Sequence, residues 1–210
     1  SIPEGMKLDL PDKWILSKVN ELNEKIASNM DSFELGIALD NVTDFIWNEY
    51  CDWYIEMVKP RLYGADPASK EAALWTLKTV LVDALKLLHP FMPFITEEIF
   101  DSLTDEESIM ISEYPKKREG FCFKAEENSI ENVKSAVRAV RTVRKEMDVP
   151  VKKKAQVFIL AKDRDIASTF DGAEDIFGLL CGASGLSVTC EASDIPDNSV
   201  SSVIDGATVY

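Results

Sequence analysis

Between Ser32 and Tyr63 apolar residues recur at Phe33, Ile37, Val42, Ile46, Tyr50, Trp53, Met57 and Pro60, in steps of three to five. That is helical spacing, uninterrupted by glycine between Gly36 and Gly64 or by proline before Pro60. Phe45, Trp47 and Tyr54 occupy its other faces, so this helix needs neighbours on at least two sides and reads as the centre of a bundle. Upstream, Pro11 suits a first helical turn, and Trp14, Ile15, Val19, Leu22, Ile26 and Met30 trace an amphipathic helix to about Asn29. Asp31 or Ser32 is the expected cap of the central helix, with Glu34 close behind. Downstream, Asp66-Pro67 starts a third helix whose core edge is Leu74, Leu77, Leu81, Leu85 and Leu88, flanked by Trp75, Val80, Val82 and Leu87. His89-Pro90 stops it, and Met92-Pro93 restarts a fourth helix, PFITEEIFDSL, around a tight corner. SIMISEYP then reads as a short extended return.

Residues 116–125 read as a linker. A further helix is expected from about Glu126 to Met147, with Ile130, Val133, Val137, Val140, Val143 or Arg144, and Met147 along one side. Past Pro150 the period changes: Ala155 to Leu160 is strand-like, 163–170 and 173–181 are short helices, and Leu186–Cys190 and Ser199–Ile204 are expected strands. The fold class is mainly α: a helical bundle (1–115), the linker, then a basic helix and small α/β subdomain (126–210).

Composition supports a folded protein. Of 210 residues 46% are hydrophobic, enough for a core. No apolar run is long enough to cross a membrane, and no secretory signal pattern opens the chain. Cys51, Cys122, Cys181 and Cys190 lack any CxxC spacing, and reduced, cytoplasmic thiols are expected. The net charge of −14 speaks against nucleic acid only until its distribution is seen. Residues 1–115 carry 9 basic and 22 acidic side chains, residues 116–154 carry 12 and 6, and residues 155–210 carry 2 and 9. The basic block is therefore the one plausible anion-facing surface.

Candidate catalytic chemistry is sparse. The single histidine, His89, sits at a helix end before proline, where capping of terminal carbonyls is the expected role. One histidine and scattered cysteines draw no zinc site. No phosphate-cradling glycine motif is present, and CGASG at 181–185 reads as a turn. Glu97 and Glu98 fall in the first turn or so of the fourth helix, where carboxylates favour the helix dipole; an acid/base dyad is the alternative. The basic helix differs. Lys134, Arg138, Arg141, Arg144 and Lys145 recur at steps of three and four, and Lys152, Lys153 and Lys154 continue the charge, an arrangement suited to phosphates and to stacking on bases. Its rival is a solvated face paired with Glu126, Glu127 and Glu131.

DFIWNEYCDWYIEMVKPRL (44–62), LLHPFMPFITEEIF (87–100) followed by SIM (108–110), and VRAVRTVRKEMDVP (137–150) occur in that order. Together they resemble the C-terminal region of valyl-tRNA synthetases, within the class I aminoacyl-tRNA synthetases, over most of residues 10–160. The corner around HPFMPFITEE is shared with isoleucyl and leucyl types, whereas IWNEYC with DWYIE favours the valyl type. The resemblance implies an anticodon-binding bundle, then a small α/β unit leading to a C-terminal coiled-coil arm. It implies a partner, the anticodon arm of valine tRNA, and no cofactor in this fragment, because the family's HIGH and KMSKS motifs, which serve ATP and magnesium chemistry, are absent, as is the editing domain. The expected tRNA contacts are Lys59 and Arg61 at the end of the central helix, Lys78 on the third, the row Arg138, Arg141, Arg144 with Lys145, and the loop from Met147 through Val149 to Val151. Trp53 and Tyr54 are expected in the core instead. A monomer is expected, and a helical scaffold with no RNA contact is the reading from a different class.

Overall fold

In the computed structural model, which describes residues 1–150, 152–196 and 199–210, the first helix, α1, spans Leu10–Asp31. Pro11 fills its first turn, and the Asp9 backbone N–H donates to the Asp12 carboxylate at 3.0 Å, satisfying a donor the helix start leaves open. Its C-terminus closes differently from expectation. Phe33 takes a left-handed conformation (φ 59°), its N–H bonding Met30 O while Glu34 N–H bonds Asn29 O. This pair of bonds is the Schellman arrangement, with phenylalanine where glycine is usual. Ser32 to Glu34 are therefore consumed in a turn, and the central helix starts at Leu35 rather than after Asp31 or Ser32.

That central helix is continuous in three parts: α2 (Leu35–Asp44), a π-helical stretch (Phe45–Ile55) and α3 (Glu56–Tyr63). The wider turn shifts its rotational phase. Its buried face is Ala38, Val42, Phe45, Tyr50, Trp53, Tyr54, Met57 and Val58, while Ile37 of the expected stripe is half-exposed. Phe45 and Tyr50 share that face five residues apart, which α-helical periodicity does not anticipate. Trp53 and Tyr54 are core, as expected.

Helix α4 (Pro67–Leu88) starts where Asp66 Oδ1 accepts from Ala68 N–H at 3.0 Å. Its deepest face is not the leucine edge but Ala72, Ala73, Thr76, Val80, Ala84 and Leu87; Leu74 is half-exposed. Both sides are apolar, and α4 lies against α1, α2 and α3, a position its alanines suit because they permit close backbone approach. After the proline corner comes α5 (Pro93–Leu103), which packs Phe100 with Leu85 and Ile109. The expected extended return is instead a short 3₁₀ turn at Ile109–Ile111, held by Glu97, whose carboxylate accepts from Ser108 Oγ (3.1 Å) and Ile109 N–H (3.2 Å). Glu97 thus has a structural partner set. His89 Nδ1 lies 2.7 Å from Thr96 Oγ1, and the Thr96 hydroxyl is 2.8 Å from Met92 O. With its one proton on that carbonyl, the hydroxyl accepts from Nδ1–H, so His89 bonds a side chain rather than capping carbonyls.

The chain forms two compact units, Ser1–Lys124 and Ala125–Tyr210. Residues 116–124, expected as linker, are built into the first. Arg118 exchanges bonds with Asn20 (N–H to Oδ1, 2.7 Å; Nδ2 to Arg118 O, 2.9 Å), Phe123 N–H donates to Ser17 Oγ, and Phe121 is buried, edge-on to Trp75.

The second unit opens with α6 (Lys124–Glu146), then β1 (Ala155–Ala161), α7 (Arg164–Ser168), α8 (Glu174–Cys181), β2 (Ala183–Thr189), β3 (Ser202–Ile204) and β4 (Ala207–Val209). The sheet order is β2-β1-β4-β3, with β1 parallel to β2 and antiparallel to β4, and β3 antiparallel to β4. The parallel pair requires a crossover, which α7 and α8 supply. Gly182 takes a left-handed φ of 68° to end α8, and Ala183 to Gly185, expected to continue a turn, already belong to β2. The last strand was not anticipated.

Candidate nucleic-acid interface

In the first unit the three cations singled out from sequence have different fates. Lys59 is exposed and pairs with Glu56 at 2.5 Å, one turn back on its own helix. Lys78 is exposed on α4, with no ion pair among the described residues. Arg61 is turned inward, its side chain 15% exposed. Its Nη1 donates to Asp12 Oδ1 (2.9 Å), Nε to Ser69 Oγ (2.8 Å) and Nη2 to Ser69 O (2.8 Å), and Nε lies 3.1 Å from Asp9 Oδ2. Asp12, fully buried, also accepts from the Tyr54 hydroxyl at 2.8 Å. Burial, and then the charge of Asp12, push the Tyr54 hydroxyl well above its usual range. In this structure the Arg61 guanidinium ties the end of α3 to the starts of α1 and α4, and its donors are directed into the protein.

The second unit gathers the rest. Lys134, at the head of the expected row, is 1% exposed and donates to Glu131 at 3.0 Å, so it does not share the exposed face. Arg138 and Arg141 are exposed further along α6, and Arg141 Nε donates to Leu180 O at 2.8 Å, fastening α6 to the end of α8. Arg144 is half-buried; its Nη2 donates to Pro150 O (3.1 Å) and Lys153 O (2.6 Å). Helix α6 closes by a second Schellman arrangement. Asp148 has φ 49° and its N–H bonds Lys145 O, while Val149 N–H bonds Arg144 O at 2.9 Å. Val149 is thereby fixed directly past the helix end, beside exposed Met147. Val151, the last residue of the expected contact loop, lies outside the described residues. Lys145, Lys152, Lys153 and Lys154 are all exposed, and none has an ion pair among the described residues.

Chemically this is an anion-facing ridge. Exposed lysines present charge not already neutralised, while Arg144 spends hydrogen bonds on holding the loop that displays them. Sequence reasoning missed the loop-stapling role of Arg144 and the Asp12 and Ser69 partners of Arg61, because each bond depends on atoms far along the chain or on backbone carbonyls. Among the described residues no group of three or more His, Cys, Asp or Glu side chains is arranged to hold a metal ion, and no helix is long and apolar enough to cross a membrane.

A family profile described as the anticodon-binding domain of tRNA ligase matches residues 12–159, and the chain belongs to that family. It is 44% identical over 202 residues to the valine–tRNA ligase of Clostridium acetobutylicum, 42% over 203 to that of Clostridium tetani and 36% over 205 to that of Oceanobacillus iheyensis. These alignments cover 96%, 96% and 97% of this chain and 23% of each relative, so the chain spans about a quarter of the length of the curated relatives it matches.

Proposed function

We propose that this chain holds the anticodon arm of a tRNA, the valine acceptor, for a ligase whose ATP- and magnesium-dependent chemistry resides in polypeptide outside this sequence. The observation that carries the reading is the set of four exposed lysines without ion pairs at and beyond the end of α6, in a chain of net charge −14. The family membership and the valine–tRNA ligase relatives support the choice of partner. Single-stranded loop bases can be splayed onto side chains while phosphates meet the cations.

The test is a titration with valine tRNA and with an anticodon-altered version of it, repeated across salt concentrations. The logarithm of affinity should fall with the logarithm of salt by about 0.7 per phosphate contacted in a single-stranded loop, hence a slope of about −3 if all four lysines engage. Lys145→Glu and Lys78→Glu should each weaken binding. They are cleaner probes than Arg141→Glu, which would also break the bond to Leu180 O. Equal weak binding to both tRNAs, unmoved by salt or by these substitutions, would leave a helical scaffold with no RNA role.

A further inference from the structure

Beside the lysine ridge lies a feature the anion-binding reading does not use. Between the last turns of α6 and the strands β1 and β4 there is an open cavity of about 250 Å³, walled by Val143, Met147, Val157 and Val209, with Gln156 and Tyr210 among its polar groups and Arg144 on its border. It is smaller than the pockets that enclose drug-sized ligands. Around it, residues 138–154 hold seven basic and two acidic side chains. An aliphatic recess bordered by unneutralised cations suits an occupant with a flat, weakly polar body and an anionic backbone.

We propose that this cavity receives one unstacked nucleotide of the bound RNA loop, its base lying against the valine and methionine methyls and its flanking phosphates on Lys145 and Lys152 to Lys154. The proposal rests on the tRNA-binding reading above and adds the place where a base is held. Two structural features favour it. The Schellman closure and the Arg144 bonds to Pro150 O and Lys153 O hold the border in place without a ligand, so little ordering is left for binding to impose. The charge is also of the right sign on the right side: cations cluster at the cavity, whereas the remainder of the unit, residues 155–210, carries 2 basic and 9 acidic residues.

The experiment uses the whole chain with valine and methionine methyls isotope-labelled, titrated by NMR with an RNA hairpin bearing the valine anticodon loop. A base in the cavity shifts the methyls of Val143, Met147 and Val209 upfield through its ring current and leaves the buried Val133 unmoved. Val143→Phe, which fills the space, should weaken the hairpin about tenfold, toward the lower end of what one stacked base contributes, with the salt slope unchanged. Lys145→Glu should weaken binding and flatten the slope by about one. If the hairpin binds and Lys145→Glu weakens it, yet the cavity methyls stay still and Val143→Phe binds normally, the cavity proposal is overturned and tRNA binding stands. If the hairpin does not bind even at low salt, the underlying reading fails as well. The methyl shifts in the unaltered chain decide the matter even if Val143→Phe does not fold.

Discussion

Removing Asp12 should unfold the helical unit more readily than any loss of a surface charge, and the structure gives the size of the effect. Its carboxylate has no exposure and accepts three hydrogen bonds: from Tyr54 (2.8 Å), from Arg61 (2.9 Å) and from the Asp9 backbone (3.0 Å). Asp12→Ala strands a buried hydroxyl and a guanidinium that is 15% exposed, and breaking such a pair costs about 3–5 kcal/mol. Arg61→Ala should cost toward the lower end of that range, because Asp12 keeps Tyr54 and the Asp9 N–H. Much of each loss is the penalty of an abandoned partner, so the double variant should cost less than the two single changes added together. A coupling of about 2 kcal/mol or more is expected from the cycle. The exposed pair Lys117–Glu24 (2.6 Å) in the same unit is the control and should show next to no coupling.

The assay is urea unfolding followed by tryptophan fluorescence. Trp14, Trp47, Trp53 and Trp75 all lie within Ser1–Lys124, so the signal reports that unit alone. A coupling no larger than that of Lys117–Glu24 would refute the internal role assigned to Arg61 and return it to the list of RNA contacts. A direct check follows. Under conditions where the variant stays folded, Arg61→Ala should bind valine tRNA as the unaltered chain does.

Phe33 is 88% exposed at φ 59°, where a side chain costs about 1 kcal/mol relative to glycine, so Phe33→Gly should raise the urea midpoint of the helical unit; an unchanged or lower midpoint would mean the aromatic ring contributes to folding. Burial is the first cause that raises both Tyr50 and Tyr54 above the ordinary tyrosine value of 10.0. Above pH 10 the unfolded chain therefore releases protons that the folded chain retains, and stability should fall as pH rises; Tyr54→Phe should make that fall shallower in pH-dependent melts. Among the four free thiols Cys122 and Cys190 are exposed, whereas burial pushes the partly buried Cys51 and the buried Cys181 upward, so a thiol-reactive dye should label two sites rapidly and two slowly.

Local signals in the sequence carried the helical architecture well. Asp66-Pro67 marks the start of α4 because a cap and a preset φ act within a few residues, and the His89-Pro90 and Met92-Pro93 corner is legible for the same reason. Phase within a helix was harder. The π-helical stretch exchanges the expected stripe for one holding Phe45 and Tyr54, and α4 has apolar residues on both sides, so periodicity alone could not choose its deepest face. β4 is three residues long, too short for alternation to be visible. In the candidate site, spacing identified Arg138 and Lys145 as exposed cations. It could not distinguish them from Lys134, which has the same helical period but is buried beside Glu131. Arg61 was misleading in a related way: a cation near a helix end looks available until a carboxylate 49 residues earlier is found to hold it.

Setting internal cations apart changes what the acidic bundle can do. Residues 1–115 carry 22 acidic side chains against 9 basic ones, and of the three cations expected to face RNA there, Arg61 is committed internally and Lys59 is paired with Glu56. Phosphates approaching this unit meet net repulsion almost everywhere, with Lys78 as an exception. A bundle of this kind gains little from general attraction to polyanions, and any contact it makes with RNA must come through groups that do not require phosphate. Trp47, 67% exposed beside Asn48, is a side chain of that type: a ring that can stack on a base with an amide next to it. Charge thus favours docking at the end of α6 and penalises it across the bundle, which restricts the orientations an RNA can adopt without requiring tight overall binding.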